Sequence, residues 1–539
     1  MLEPERSGFD PITVAAPDKT KSAEREWHPQ VSPWLIAAAV MLPTFMEVLD
    51  TSIASVALPH IAGSFSASAE EATWVLTSYL VANAVILPAS GWFALRYGRR
   101  NFLLFCIVVF TIASFLCGSA ASLGFMLTSR TLQGAAGGAL QPLSQAILLE
   151  SFPVERRGSA MAIFGMGVVV APILGPTFGG WLTDQYTWRW AFYINVPIGI
   201  IAVMMVSAFV SDPPYIREAK PGRVDAIGLG LLAIGLGALQ TILDKGQEDD
   251  WFGATWIRWF TAIAIAALAS FVIRQLKARN PVVGLRVFKD RNFAFGCLLM
   301  FLFGAVIYGI VTILPLFYQT VLNYPAGTAG IAVSPRGVGA LLIMPIAAFL
   351  NNRVDNRWMI AIGFLIIGIN TFWMGNLTVE ISEWSLLWPT MLTGAGTGLV
   401  FVTLATITMA TLKKEQIGNA TGLFNLLRNV GGSVGISLVN TVISRHMQTH
   451  RAELAHRING GRVFQDLYAH LHALMALHAG MRVAQLRAYA LIQNLLDQQS
   501  TVYAYVDDLR YMALLCFACA PIIFLVKRAR QTGEPMAAH

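Results

Sequence analysis

Arg130 interrupts an apolar run, Leu127-Thr-Ser-Arg-Thr-Leu-Gln-Gly-Ala-Ala-Gly-Gly138, with no acidic residue within a helical turn. A guanidinium does not shed its proton, so in hydrocarbon it requires a buried carboxylate, a carbonyl cluster or a water-filled cavity. Glu47 and Asp50 offer carboxylates, three residues apart inside another apolar run. That spacing puts both acids on one side of a helix. Two acids in low dielectric beside a permanent cation allow one to stay ionised while the other titrates at accessible pH. The chemistry this permits is proton uptake on one side of a membrane and release on the other, with a second solute moving the opposite way. Glu47 either binds a cationic solute or shares the proton. A static ion pair holding two helices together is the competing reading of the same residues.

Positioning such charges takes spanning helices of about 20 predominantly apolar residues each. Of 539 residues, 55% are hydrophobic and 13% charged, where a soluble domain carries about 25% charged residues. Mean hydropathy is +0.58. The fold class that follows is an all-α polytopic membrane protein. Fourteen spans are predicted, at 33–58, 72–94, 102–120, 123–148, 158–183, 188–211, 226–244, 255–275, 294–319, 328–350, 358–376, 386–411, 418–444 and 509–527. An even number leaves both termini on one side. With the amino terminus in the cytoplasm, the inner loops hold most of the basic residues, among them Arg156, Arg217, Lys220, Arg223, Arg279, Lys413 and Arg528. The outer loops carry Glu70, Glu71, Asp184, Glu248, Asp249, Asp250, Glu380 and Glu383. The positive-inside rule therefore places both termini in the cytoplasm and explains the net charge of +7 without nucleic acid. The five cysteines all lie in apolar runs, so no disulfide framework is expected. Residues 1–31 read as a polar cytoplasmic tail without the apolar stretch of a cleavable signal peptide.

The segment 447–508 is long, hydrophilic and on the outer side. Leu467, Leu471, Leu474, Met475 and His478 recur at helical spacing, as do Val483, Leu486, Tyr489, Ala490, Ile492 and Leu495. Two amphipathic helices are predicted, the second running toward the last span. His-x-His at His470 and His472 places the two rings on different helix faces, so these and His478 are expected to be solvated or packed, with no metal site.

An internal repeat organises the spans. Leu132-Gln-Gly134-Ala-Ala-Gly-Gly138 matches Leu392-Thr-Gly394-Ala-Gly-Thr-Gly398 at an offset of 260 residues. Gly158, Ala160, Phe164, Val170 and Gly175 fall on Gly418, Ala420, Phe424, Val430 and Gly435 at the same offset. Val56-Ala-Leu-Pro59 resembles Thr312-Ile-Leu-Pro315 at an offset of 256. Spans 1–6 therefore read as duplicated in spans 9–14, in parallel orientation, with spans 7 and 8 inserted. The expected domains are a tail at 1–31, an N-terminal six-helix bundle at 32–212 and an inserted hairpin with basic linkers at 213–291. A C-terminal bundle follows at 292–446 and 509–530, with the periplasmic segment at 447–508 between its last two spans.

Two parallel six-helix halves are the plan of the major facilitator architecture. The chain resembles that superfamily, and within it the fourteen-helix drug:proton antiporters of the EmrB/QacA type, with a layout nearest to EmrB. Leu49-Asp-Thr-Ser-Ile-Ala-Ser-Val-Ala-Leu-Pro59 is similar to the first-span signature, with Ser52 and Ser55 where Thr and Asn are usual. Arg130-Thr-Leu-Gln133-Gly134 resembles the fourth-span signature, and Trp188-Arg-Trp-Ala-Phe-Tyr-Ile-Asn195-Val-Pro-Ile-Gly199 adds another match. Ala171-Pro172-Ile-Leu-Gly175-Pro176-Thr-Phe-Gly179-Gly180 resembles the antiporter signature of span 5, in which Gly167 also falls. The resemblance implies proton-driven multidrug efflux, with Asp50 and Arg130 in proton coupling. It also implies that span 5 meets span 13 and limits leak between the halves. No cofactor is implied.

Gly91-Trp-Phe-Ala-Leu95-Arg96-Tyr-Gly98-Arg99-Arg100 is similar to the cytoplasmic gate motif but carries Leu95 where many members have Asp. Asp355 and Arg357, in the corresponding loop of the second half, are candidates to replace the missing charge. Arg336 and Arg428 are further buried cations, either binding an anionic group or satisfying helix-end carbonyls. Expected cavity liners are Asn83, Gln133, Gln141, Gln145, Tyr308, Tyr318, Gln319, Phe424 and Asn425, a set suited to lipophilic cations when joined by a carboxylate. A phosphate-cradling Gly-x-x-x-x-Gly-Lys-Ser/Thr is absent from the sequence, which argues against an ATP-driven pump; His-Glu-x-x-His is absent too and no nucleophile sits in a recognisable catalytic signature, which argues against a membrane enzyme. A dedicated exporter of one metabolite, siderophore or fatty acid, and a non-transporting receptor or scaffold, are the alternatives. By position and size the outer segment resembles that of EmrB-like proteins, which implies a periplasmic EmrA-like adaptor and a TolC-like outer-membrane channel as partners.

Overall fold

The computed structural model describes residues 31–526 apart from 215, 217–224, 279–280, 323, 325, 352, 377–382, 459–460 and 477–480. The tail at 1–30, the terminal basic group, Arg217, Lys220, Arg223, Arg279, Glu380 and His478 lie outside the described residues. Among the described residues the secondary structure is helical. The N-terminal half comprises α1 (Pro33–Phe65), α2 (Ala69–Tyr97), α3 (Arg99–Gly118), α4 (Leu123–Ser151), α5 (Arg157–Gln185), α6 (Trp190–Tyr193) and α7 (Asn195–Phe209). A hairpin of α8 (Ala226–Lys245) and α9 (Thr255–Lys277) follows. The C-terminal half comprises α10 (Arg291–Thr320), α11 (Ala326–Val333), α12 (Pro335–Leu350), α13 (Asn356–Met374), α14 (Glu383–Met409), α15 (Lys414–Ile458), α16 (Arg462–Ala476) and α17 (Met481–Ile522). Twelve described spans are long and apolar enough to cross a membrane. The 29-residue helices α4 and α5 complete the fourteen predicted positions.

Polar residues outside the apolar runs set the helix starts. Ser68 and Glu71 form a reciprocal capping box at α2, with hydrogen bonds of 2.9 and 3.1 Å. Ser122, Asp225, Asp290 and Asp355 accept backbone N–H groups at the starts of α4, α8, α10 and α13. Between α2 and α3, Gly98 takes φ +86°, and a side chain there would collide with the Asp212 carboxylate.

The halves repeat each other's packing. α2 lies on α4 as α12 lies on α14, and α1 lies on α5 as α10 lies on α15. α3 touches α4 and α7 as α13 touches α14 and α17. Shared small residues account for this likeness. A Cβ on Gly134 or Gly138 would press on the backbone of Tyr79 or Asn83, and Gly394 and Gly398 stand the same way to Arg336 and Ala340. Backbones that close leave no room for a larger residue. The equivalence makes Arg336 the counterpart of Tyr79.

Between the halves, α2 packs on α15 and α5 packs on α12 and α14. This corrects the expectation that span 5 meets span 13. A two-fold relation between the halves brings each helix onto the counterpart of a different one, so span 5 faces span 10 and span 13 faces span 2. The hairpin covers the α2–α15 seam. Lys245 Nζ donates to Thr73 of α2 at 2.9 Å, while Trp251 Nε1 and Gln240 bond Thr441 and Ser433 of α15.

Helices occupy the described part of the segment 447–508. The helix of span 13 also runs on to Ile458, well past the predicted end at 444. Its 45 residues measure about 67 Å, more than twice the hydrocarbon thickness. α17 is 42 residues long and returns alongside it. Arg451 Nε bonds Asp497 at 2.5 Å and ties the two extensions together.

Candidate functional site

The charged centre lies between α1, α2, α4 and α7. Gly134, Gly137 and Gly138 make one face of α4 narrow, which lets α2 approach and brings Arg130 beside Asp50 of α1. Arg130 is 0% and Asp50 1% exposed, so the pair is shut off from bulk water. Arg130 Nη1 donates to Asp50 Oδ2 at 2.6 Å and to Gln133 Oε1 at 2.7 Å, and Nε donates to the Val75 carbonyl at 3.1 Å. Gln133 Nε2 and Asn195 Nδ2 donate to the other Asp50 oxygen at 2.8 and 2.7 Å. Asn195 is held in turn by Ser114, whose hydroxyl donates to the Phe192 carbonyl. Two amide donors and a guanidinium thus compensate one buried carboxylate, as a charge in such a place demands.

Glu47 lies one helical turn away and is 4% exposed. Tyr79 Oη and Asn83 Nδ2 donate to its Oε1 at 3.2 Å each, and Gln141 Nε2 donates to Oε2 at 2.5 Å. Gln141 Oε1 accepts from Arg428 Nη2 of the other half. Tyr79 joins the two clusters. Its hydroxyl holds Glu47 while the Arg130 guanidinium sits 4.3 Å from its ring centroid.

The seam between the halves is stitched on the side where the basic loops lie. Thr421 Oγ1 donates to the Pro142 carbonyl at 3.1 Å, and Asn425 Nδ2 to Gln145 Oε1 at 2.6 Å. Phe164 stacks on Phe401, with ring centroids 6.1 Å apart. A Cβ on Gly91 would meet the Asn419 backbone at 2.8 Å, so α2 and α15 touch at main-chain distance. Buried Arg99, pairing with Glu150, reaches to Gly418 across the same seam. Asp212 accepts the Arg100 backbone N–H at 2.9 Å.

Of the predicted site residues, Glu47, Asp50, Asn83, Arg130, Gln133, Gln141 and Arg428 form linked clusters, and Gln145 and Asn425 pair beside them. Phe424 is fully buried, and Tyr308 packs against Gly432. Tyr318 is buried against Phe317 and Tyr324 within the second half, and Gln319 points to the exposed side of α10. Those last two are not part of the linked clusters. Asp355 accepts the backbone N–H of Arg357 in its own helix start. The acids found beside the gate motif are Glu150 and Asp212, which sequence reasoning passed over. Tyr79 and Asn195 belong to the clusters as well, and the sequence shows no role for either.

Span 5 seals α1 next to Asp50. A Cβ on Gly175 would strike Ser52, one on Gly179 would meet Ile53 at 2.9 Å, and one on Gly167 would strike Met41. Pro176 has no N–H to give the carbonyl of Pro172, and Ser52 Oγ donates to that carbonyl at 3.3 Å. Gly180 faces open space.

Comparison with known proteins agrees with this geometry. The family model described as Major Facilitator Superfamily matches residues 40–436. The chain is 38% identical to multidrug export protein EmrB of Escherichia coli K12, over 79% of this chain and 83% of that one. It is 35% identical to fatty acid resistance protein FarB of Neisseria gonorrhoeae, over 92% of this chain and 97% of that one. Among solved structures, the human organic anion transporter MFSD10 superposes with a TM-score of 0.59 at 14% identity, covering 90% of this chain and all of that one. The proton:xylose symporter XylE superposes with a TM-score of 0.56 at 15% identity, covering 90% and 94%.

Proposed function

Because the chain belongs to the major facilitator superfamily, we propose that it is a proton-driven multidrug exporter of a bacterial inner membrane, with both termini in the cytoplasm. The observation that carries the reading is the Asp50–Arg130 pair, 2.6 Å apart and out of contact with bulk water. A second carboxylate, Glu47, is wired to it through Tyr79.

The seam described above closes the cytoplasmic end. Protons arriving from outside neutralise Asp50 and Glu47. Arg130 then leans on Gln133, the Val75 carbonyl and the Tyr79 ring, and the Tyr79 hydroxyl shifts on Glu47. A neutral Glu47 pulls less on Gln141, which slackens the Gln141–Arg428 tie between the halves and frees the cytoplasmic seam. A lipophilic cation entering from inside displaces the proton at Glu47, Asp50 releases its own inward and pairs with Arg130 again, and the restored charges draw the seam shut behind the cation. Each ligand acts by binding one arrangement better than the other. Gly175 and Gly179 keep α5 tight on α1, so ions do not leak past Asp50 during the exchange.

Export of one anionic compound, such as a fatty acid, is a second reading. It is favoured by buried Arg336 and Arg428, whose Nη1 groups have no protein partner among the described residues. The projecting α15–α17 bundle supports assembly with a periplasmic adaptor and an outer-membrane channel.

The test is efflux of a cationic dye from vesicles under an imposed pH gradient, comparing the native chain with Asp50→Asn. The native chain is expected to move dye only with the gradient, and Asp50→Asn to lose that dependence. Gradient-driven efflux that survives in Asp50→Asn would sink the reading.

A further inference from the structure

His446 and His450 stand one turn apart on the outward extension of α15, and Asp507 faces them from α17. His446 Nδ1 is 3.0 Å and His450 Nε2 is 2.7 Å from the same carboxylate oxygen, Asp507 Oδ2. The three ligand atoms lie within 4.8 Å of one another. Tyr511 packs edge-on against the His446 ring at 5.7 Å, and Tyr503 lies against His450 at 5.6 Å, so both imidazoles are walled into their orientation.

We propose that His446, His450 and Asp507 bind a divalent transition-metal ion of the zinc class, which clasps the outward ends of α15 and α17. Two imidazoles and a carboxylate are a ligand set that such ions favour over magnesium or calcium. Around a tetrahedral ion with bonds of about 2.0–2.1 Å, ligand atoms stand about 3.3 Å apart. The two imidazole–carboxylate contacts therefore open by a few tenths of an ångström, and the imidazoles move together on their own rotamers. Side-chain exposures of 31%, 24% and 25% give an ion a route in and leave an open side for water as fourth ligand. Both helices belong to the second half, so the clasp does not lock the halves together. It fixes the direction in which the outer helices leave the membrane. The histidines at 470 and 472 have no part in it.

Cobalt(II) is the probe, because its visible d–d bands report tetrahedral coordination. The full chain, purified in detergent without a histidine tag and stripped with chelator, is titrated with cobalt and back-titrated with zinc. The expected result is one equivalent of cobalt with visible bands that zinc abolishes. His446→Gln, His450→Gln and Asp507→Asn are each expected to weaken binding by at least about 10-fold, the loss that even an outer partner of a ligand commonly causes. His470→Gln is expected to change nothing. Absence of the bands from the native chain, or bands that persist in the combined His446→Gln/His450→Gln variant, would overturn the proposal. The native titration stands even where a variant fails to fold.

Discussion

The Asp50–Arg130 pair can be asked whether it is a brace or a working part. Asp50→Asn leaves Arg130 in a site 0% exposed with an amide where its counter-charge was, and Arg130→Gln leaves Asp50 with only Gln133 and Asn195 as donors. Breaking a buried pair from one side costs about 3–5 kcal/mol, because the surviving charge stays desolvated. Removing both charges in Asp50→Asn/Arg130→Gln leaves two amides that can bond each other and the same neighbours. The double variant is therefore expected to be more stable than either single one, with a coupling of about 1–3 kcal/mol. Unfolding of the four proteins in detergent, followed by tryptophan fluorescence, gives the stabilities. Dye efflux under a pH gradient in reconstituted vesicles gives the function. A brace would recover function along with stability. A proton-carrying pair recovers stability alone, and gradient-driven efflux in the double variant near the native rate would refute the reasoning.

Other outcomes follow from the same geometry. Gly134→Val drives a side chain into the Tyr79 backbone and is expected to destabilise the N-terminal half by about 1–3 kcal/mol or more. Gly180→Ala enters open space and should be neutral or stabilising by up to about 1 kcal/mol, both measurable by thermal unfolding. The Arg274 guanidinium at 2.8 and 2.9 Å holds the Asp225 carboxyl below the usual carboxylate range. A depressed carboxylate contributes stability above its unfolded value, about 3.9, and loses it as pH falls through the folded value. Asp225→Asn should therefore be less stable than the native chain at neutral pH, with the difference closing on acidification below about pH 4. Replacing residues 455–493 by a short linker, with the Arg451–Asp497 pair kept, should abolish co-purification of a periplasmic adaptor while leaving vesicle transport intact.

The sequence made the spans and the duplication legible because hydrocarbon imposes length and composition, and close helix contacts impose glycine. It marked Asp50, Glu47 and Arg130 for the same reason, since a charge in an apolar run is costly wherever it lies. Partners were harder to see. Tyr79 in a membrane helix reads as a packing residue, and only the approach of α2 to α4 turns its ring toward Arg130 and its hydroxyl toward Glu47. Glu150 ends an apolar helix and looks like an interface charge until Arg99 folds back onto it. The pairing of span 5 with span 10 depends on the relation between the halves, which no local pattern encodes. His446 and His450 are not legible as a pair because the apolar pattern of span 13 stops at 444, while the helix that sets them in line runs on to Ile458.

The glycine seats that dock α2 on α4 recur in α12 and α14, yet the chemistry does not. Where the first half has Glu47 and Asp50, the second has Phe303 and Val306, and Thr390 stands at the place of Arg130. On the proposed coupling, the first copy carries the charges that work and the second copy lacks them. Random substitutions should therefore weigh unevenly on the molecule, with changes of charge silencing the first copy and changes of shape bearing alike on the packing of both.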